Sequence, residues 1–199
     1  MVKEIKYIEA LGNLLATYRS DLFYIKRFND FKNGHVSKGD YLTKEDGSFR
    51  RFINDFRVAR NISKTHVDEF LDELQNWINE NQSNDVDQLA KKVQGLGYTH
   101  SKVMTSLCSK VLFLNNPYDI IPIDQLAKRT IGYRGNKYSE FRSKLDSFRK
   151  NHTKEINSYL ASVSNHIDQI EKDFKEDIPN IEVIRRNRYL DKILWTTGR

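Results

Sequence analysis

The residue best placed to do chemistry in this chain is Asp124, a carboxylate that follows the apolar sequence Ile-Ile-Pro-Ile at 120–123. A carboxylate aimed in a fixed direction by stiff neighbours can stabilise a developing positive charge or activate a water molecule. The same residue type is also favoured as the N-cap of a helix, where it accepts a hydrogen bond from a free backbone N–H. Asp124 is therefore either a catalytic acid or simply the cap of the helix DQLAKRTIG, which Gly132 should close.

Small hydroxyl residues crowd the segment before Asp124. A helix N-terminus of this kind can lie against a phosphate, because its free N–H groups and its dipole favour an anion. We select Ser106 and Ser109 as candidates to contact the backbone of a nucleic acid. The alternative is that such hydroxyls cap helices or lie on a solvated face. The crowded positions are Thr99, Ser101, Thr105, Ser106 and Ser109.

Basic residues flank Asp124 on both sides. Lys110 lies about one helical turn beyond Ser106, and Lys128 and Arg129 follow Asp124 in the next helix. We expect these three cations to contact phosphate groups, although basic pairs are also common on solvated helix faces. Other basic clusters, for which the solvated face is the stronger interpretation, are Arg50-Arg51, Lys91-Lys92 and Arg185-Arg186-x-Arg188.

The elements that position these residues are helices. Apolar residues recur at helical spacing along most of the chain, strand signals are scarce, and the sequence holds only three prolines and nine glycines. The stripe Ile5, Ile8, Leu11, Leu15 and Tyr18 predicts the buried face of the first helix. Thr65 resembles the start of a capping box for a later helix. We predict helices over about 138–150 and 153–175, and a final helix from Ile181 to Trp195. The class is all-α.

Composition restricts the classes of function. The net charge of +6 is compatible with binding to nucleic acid. One cysteine excludes an internal disulfide framework, a cysteine-ligated iron–sulfur cluster and a cysteine-rich zinc site. No apolar run approaches the length of a membrane span, and the N-terminus lacks the apolar region of a signal peptide. We expect a cytoplasmic monomer without metal or cofactor and without a membrane partner.

The segment SLCSKVLFLNNPYDIIPIDQLAKR resembles the helix-hairpin-helix DNA glycosylase superfamily, in particular its compact 8-oxoguanine-glycosylase-like branch without an iron–sulfur cluster. In that family a hairpin and an Ala/Ser-rich helix precede a short loop and a hydrophobic-hydrophobic-Asp sequence. The matching parts here are Cys108–Phe113, an Asn-Pro loop and Pro122-Ile123-Asp124. Gly95-Leu96-Gly97 has the glycine pattern of the hairpin but lies several residues further upstream. The closing sequence LDKILW is similar to a C-terminal helix of such a domain.

The resemblance implies both a fold and an activity. The fold would be one helical domain over 1–199 with two closely packed lobes, 1–92 and 93–199. The activity would be excision of a modified base from double-stranded DNA, with Asp124 at the position of the family's catalytic aspartate. Thr105 and Ser106 fall near the position where bifunctional members carry a catalytic lysine, so the resemblance implies a monofunctional enzyme. Its role would be DNA repair or defence against foreign DNA.

Two other interpretations remain open. The chain could be a DNA-binding module that keeps the glycosylase-like fold without activity. Arg60-Asn61 followed by His66 also loosely resembles the Arg…His motif of the all-helical HEPN ribonucleases, although a histidine in the first turn of a helix is common.

Overall fold

The computed structural model describes residues 2–81 and 84–199, and all regular secondary structure in these two stretches is helical. The all-α class predicted from the sequence is confirmed. Short 3₁₀ turns lie at Ala59–Asn61 and Lys64–His66. The α-helices in chain order are α1 (Glu4–Lys32), α2 (Lys38–Tyr41), α3 (Phe49–Asp55), α4 (Val67–Asn81), α5 (Val86–Gly95), α6 (Thr105–Asn115), α7 (Gln125–Thr130), α8 (Tyr138–Ser162), α9 (Ser164–Glu171) and α10 (Ile181–Thr197).

The chain divides into two compact units. The terminal unit comprises the residues up to Phe23 together with Ile121–Arg199, and the central unit comprises Tyr24–Ile120. This division differs from the lobes 1–92 and 93–199 expected from the sequence. The reason is that the first turns of α1 pack with the C-terminal helices: the Tyr189 hydroxyl, for example, donates to the Tyr7 carbonyl at 3.0 Å.

The core of the central unit is largely aromatic. Ile25, Phe28 and Phe31 of α1 are spaced three residues apart and are buried in it. In the central unit Phe31 stacks on Tyr41, with ring centroids 4.7 Å apart. Burial of such rings is the main favourable contribution to folding, at about 25 cal/mol per Å² of apolar surface. The other large aromatic side chains fully buried in this unit are Phe49, Phe52, Phe70 and Phe113.

The predicted buried stripe of α1 is confirmed at Leu11 and Tyr18, which are buried, but it is wrong for the first turns of the helix. Ile5 and Ile8 are 54% and 51% exposed, whereas Tyr7 and Leu14 are buried. Apolar residues occur on both sides of this stretch, so helical periodicity alone fits either face. Packing against α8 determines which face is buried, because the Tyr7 hydroxyl contacts His152 and the Tyr7 ring stacks on Tyr159 with centroids 5.3 Å apart.

Helix α8 is continuous from Tyr138 to Ser162, so the predicted break after residue 150 is wrong. The sequence at 151–152 contains neither glycine nor proline, and His152 packs on Phe148 one turn before it, with ring centroids 4.2 Å apart. The chain breaks at Val163 instead, and α9 ends at Glu171. The start of α4 also differs: a 3₁₀ turn precedes it, and the capping box expected at Thr65 does not form, since that hydroxyl bonds Ser63 and His66.

Two glycines end helices in the left-handed conformation that residues with a Cβ rarely adopt. Gly132, with φ +64°, follows α7 as predicted, and the Tyr133 N–H donates back to the Lys128 carbonyl at 2.8 Å. Gly97, with φ +78°, ends α5 in the same way, and the Tyr98 N–H donates to the Val93 carbonyl at 3.1 Å. Gly97 therefore has a complete structural role as a helix terminator.

Candidate functional site

Asp124 is the N-cap of α7. Its backbone is extended, with φ −140° and ψ −179°, and its Oδ1 accepts a hydrogen bond from the Ala127 N–H at 2.8 Å. The side chain is half-buried, and Oδ2 makes no hydrogen bond within residues 2–81 and 84–199. The capping role proposed from the sequence is confirmed. Its geometry leaves one carboxylate oxygen held by the helix and the other available.

The connection that leads into Asp124 is held rigidly. Ile121 and Ile123 are each 1% exposed, so the apolar residues before the acid are anchored in the core. The Tyr138 hydroxyl accepts from the Ile121 N–H and donates to the Ile121 carbonyl, both at 3.0 Å. A single side chain at the start of α8 thus satisfies both backbone groups of Ile121. This arrangement fixes the position and direction of the Asp124 carboxylate.

Asp191 lies near Asp124 in the terminal unit and belongs to a group of interacting charged residues with Asp21, Arg188 and Lys192; with Asp124 we name this group the charged cluster. The Arg188 guanidinium donates from Nε to Asp21 at 2.8 Å and from Nη1 to Asp191 at 3.0 Å. The Arg188 and Asp21 side chains are only 3% and 5% exposed. Burial raises the pKa of Asp191, the nearby negative charge of Asp124 adds to that effect, and Arg188 and Lys192 oppose it. Burial likewise lowers the pKa of Lys192.

Sequence reasoning did not find Asp21, Asp191 and Lys192. Arg188 and Asp191 are three residues apart on one face of α10, which is a recognisable signal for an ion pair within a helix. Asp21 lies 167 residues before Arg188, and no local pattern connects the two. The charged cluster is therefore a product of the packing of α1 against α10.

Lys128 and Arg129, the predicted phosphate contacts of α7, are on the same helix as Asp124. The Lys128 ammonium lies over the Tyr133 ring, 5.8 Å from its centroid. The exposed Arg129 donates from Nη1 to the Gly198 carbonyl at 2.8 Å, so it satisfies a free carbonyl just beyond the end of α10. Both cations have structural contacts, and both keep N–H groups that an anion could reach.

The predicted residues of α6 belong to the central unit, and their geometry favours packing roles. Ser109 is fully buried, and its hydroxyl donates to the Ser106 carbonyl at 3.0 Å. Ser106 is half-buried. The Lys110 ammonium donates to the Phe56 carbonyl at 2.8 Å and so satisfies a carbonyl at the C-terminus of α3. Lys110 is thereby held at the end of a helix, where the dipole favours a positive charge.

The Arg60 and His66 pair, considered for a ribonuclease, lies in two short 3₁₀ turns of the central unit. Arg60 is exposed. The His66 ring stacks on Tyr98 with centroids 5.5 Å apart, and its Nδ1 is 3.3 Å from the Thr65 hydroxyl. Stacking and a local hydrogen bond explain the position of His66 without a catalytic role.

No family model matches the chain, and comparisons with curated proteins and with solved structures give no significant match either. The resemblance to glycosylases therefore rests on the segment 106–129 and on the closing sequence LDKILW. None of the helices in the described ranges has the length and hydropathy needed to cross a bilayer. Within the same ranges, His, Cys, Asp and Glu side chains form no group of three or more arranged to hold a metal ion.

Proposed function

We propose that the protein is a monofunctional DNA N-glycosylase in which Asp124 supplies the catalytic carboxylate. The observation that supports this most directly is the state of the Asp124 carboxylate. One oxygen is fixed by the Ala127 N–H, the other makes no hydrogen bond among the described residues, and the connection before it is clamped by Tyr138. A carboxylate of this kind is preorganised to face a positive charge without first having to move.

The chemistry follows from that arrangement. As the C1′–N bond breaks, its electron pair leaves with the base and positive charge develops on the sugar. The Asp124 carboxylate stabilises that charge and accepts a proton from the attacking water, whose oxygen forms the new bond to C1′. The base must first leave the helical stack of double-stranded DNA to reach such an acid. Lys128 and Arg129, on the same helix as Asp124, would hold the DNA backbone.

A second candidate function is that of a DNA-binding module without activity. One observation favours it: the capping role alone accounts for an aspartate at position 124. The module would use the same basic residues and the net charge of +6 to bind the phosphate backbone.

A single assay separates these functions. The protein is incubated with end-labelled duplexes that each carry one modified base, such as uracil, 8-oxoguanine or an alkylated purine, and the products are heated in alkali. Strand breaks at the modified base support the glycosylase. Binding to every duplex without breaks supports the module. Cleavage of RNA that is lost in His66→Ala would instead assign the ribonuclease function and contradict both.

We expect Lys110, Lys128 and Arg129 each to contribute to binding through phosphate. A lysine ammonium carries further N–H donors beyond the one that Lys110 gives to Phe56. Replacement of each residue by Ala should weaken binding about equally for all sequences and flatten the dependence of log K on log [salt] by roughly one unit. Fluorescence anisotropy across a salt series measures the slope. The matched control is Lys144→Ala, because Lys144 is an exposed cation of α8. If the variant with all three residues replaced keeps the salt dependence of the unaltered protein, these residues do not contact DNA.

We expect no covalent intermediate during turnover. A bifunctional glycosylase forms a Schiff base through a lysine amine, whereas the start of α6 carries Thr105 and Ser106, whose hydroxyls cannot form one. Borohydride added during turnover should therefore trap no protein–DNA adduct, and the product should be an intact abasic strand. An adduct that disappears in Lys110→Ala would show that Lys110 is the nucleophile and would contradict the monofunctional mechanism.

A further inference from the structure

A cavity of about 280 Å³ lies in the terminal unit between α8 and α10. Each helix contributes one face, since the lining positions on α8 and α10 are spaced three or four residues apart, as neighbours on a helix surface are. Apolar side chains form part of the wall, and the polar residues include two arginines and no acid. The lining residues include Arg149, Ile156 and Asn157 of α8 and Arg186 and Leu190 of α10.

The first arginine, Arg149, lacks hydrogen-bond partners among the described residues for part of its guanidinium group. Its Nε and Nη2 are buried and donate no hydrogen bond within the described part of the chain. Buried polar groups are almost always paired, and leaving a charged one unpaired costs more than leaving a neutral one. An unpaired guanidinium beside a cavity therefore points to a partner that the chain itself does not supply.

The second arginine, Arg186, differs from its neighbours in the same basic cluster. Arg185 donates from Nε to Glu171 at 2.8 Å, and Arg188 is paired with Asp21. Arg186 makes no hydrogen bond or ion pair among residues 2–81 and 84–199, and it lines the cavity instead. Two guanidinium groups that line one acid-free cavity repel each other unless an anion lies between them.

We infer that this cavity is a binding site for a small organic phosphate. Arginine donates to phosphate through paired N–H groups, and two of them match the charge of a phosphate monoester. Asn157 adds an amide at the same wall, while Ile156 and Leu190 offer apolar surface for the organic part of the ligand. Ligand cavities usually measure about 300–1,000 Å³, so the volume fits one small molecule rather than a polymer.

The test titrates the isotope-labelled full chain with phenyl phosphate, inorganic phosphate and phenol, and follows the amide resonances of α8 and α10. We expect phenyl phosphate to bind, inorganic phosphate to bind more weakly and phenol not to bind. Arg149→Gln and Arg186→Gln should each weaken phenyl phosphate binding about tenfold or more, as loss of a charge-assisted hydrogen bond does. Lys150→Gln, which removes an exposed charge beside Arg149 on the same helix, should leave binding unchanged.

Thermal melting separates binding from folding. Because Nε and Nη2 of Arg149 donate no hydrogen bond among the described residues, ligand-free Arg149→Gln should melt no lower than the unaltered protein. The proposal is overturned if Arg149→Gln melts at a much lower temperature and Arg186→Gln binds phenyl phosphate as tightly as the unaltered protein does. The proposal is also overturned if phenyl phosphate causes no saturable shift, or if both Gln variants bind it as tightly as the unaltered protein does. A further experiment measures the affinity of each variant for duplex DNA. If both variants lose affinity for DNA and the unaltered protein does not bind phenyl phosphate, the two arginines contact the DNA backbone instead. Saturating phenyl phosphate that leaves duplex affinity unchanged supports a separate site.

Discussion

Asp124→Asn should leave the protein folded and bound to DNA while reducing base excision at least about a hundredfold. Asparagine caps a helix nearly as well as aspartate, so its Oδ1 can still accept from the Ala127 N–H and stability should change by only a few tenths of a kcal/mol. The charge that stabilises the sugar cation is lost, however. Excision is measured with the alkali assay, stability by thermal melting, and affinity by anisotropy.

The chain offers a matched control for this substitution. Asp85 caps α5 as Asp124 caps α7, with its carboxylate accepting from the Gln88 N–H at 3.0 Å. Asp85→Asn makes the same chemical change at a cap with no proposed catalytic role, so excision should be unaffected. If Asp124→Asn and Asp85→Asn both retain full excision, Asp124 is only a cap, and the mechanism through its carboxylate is wrong.

Asp21→Ala should be the most destabilising single change in the charged cluster. It removes the carboxylate that lies 2.8 Å from Nε of the buried Arg188 guanidinium, while the ion pair of Arg188 with Asp191 remains. Removing one member of a buried ion pair costs about 3–5 kcal/mol in the free energy of unfolding, because the remaining charge stays out of water without compensation. Urea unfolding at neutral pH measures the loss.

The control for Asp21 is an ion pair of similar length at the surface. Arg19 and Asp173 are 2.7 Å apart, and their side chains are 62% and 54% exposed. Asp173→Ala should cost less than about 1 kcal/mol, since water and salt already screen such a pair. Equal losses for Asp21→Ala and Asp173→Ala would contradict the burial argument, and with it the view that α1 and α10 are joined through this ion pair.

Local chemistry made part of the site predictable from the sequence. The cap at Asp124 and the end of α7 at Gly132 follow from residue preferences that act over one helical turn. The catalytic interpretation of Asp124, by contrast, depends on the resemblance to glycosylases and on the proposal built upon it. The residues within one helical turn of Asp124 do not distinguish a purely structural N-cap from an N-cap that is also catalytic.

Features that depend on distant packing were not predictable. Ile5 and Tyr7 are both compatible with a buried face of α1, and the contact of Tyr7 with His152 decides between them. The same is true of Arg149 and Arg186, which read as ordinary basic residues of two helices. Only the packing of α8 against α10 brings them to one cavity.

The division of the chain into a terminal and a central unit has a consequence for its synthesis. The central unit is one continuous stretch, Tyr24–Ile120, so it is made in full before the Ile121–Arg199 part of the terminal unit. The first turns of α1 are made before it, whereas the partners of Tyr7 and Asp21 lie on α8 and α10, which are made after it. The apolar face of those turns therefore stays unpaired in the nascent chain until α8 and α10 have been made. During this interval its tyrosine and leucine side chains are open to chaperones and to misassembly.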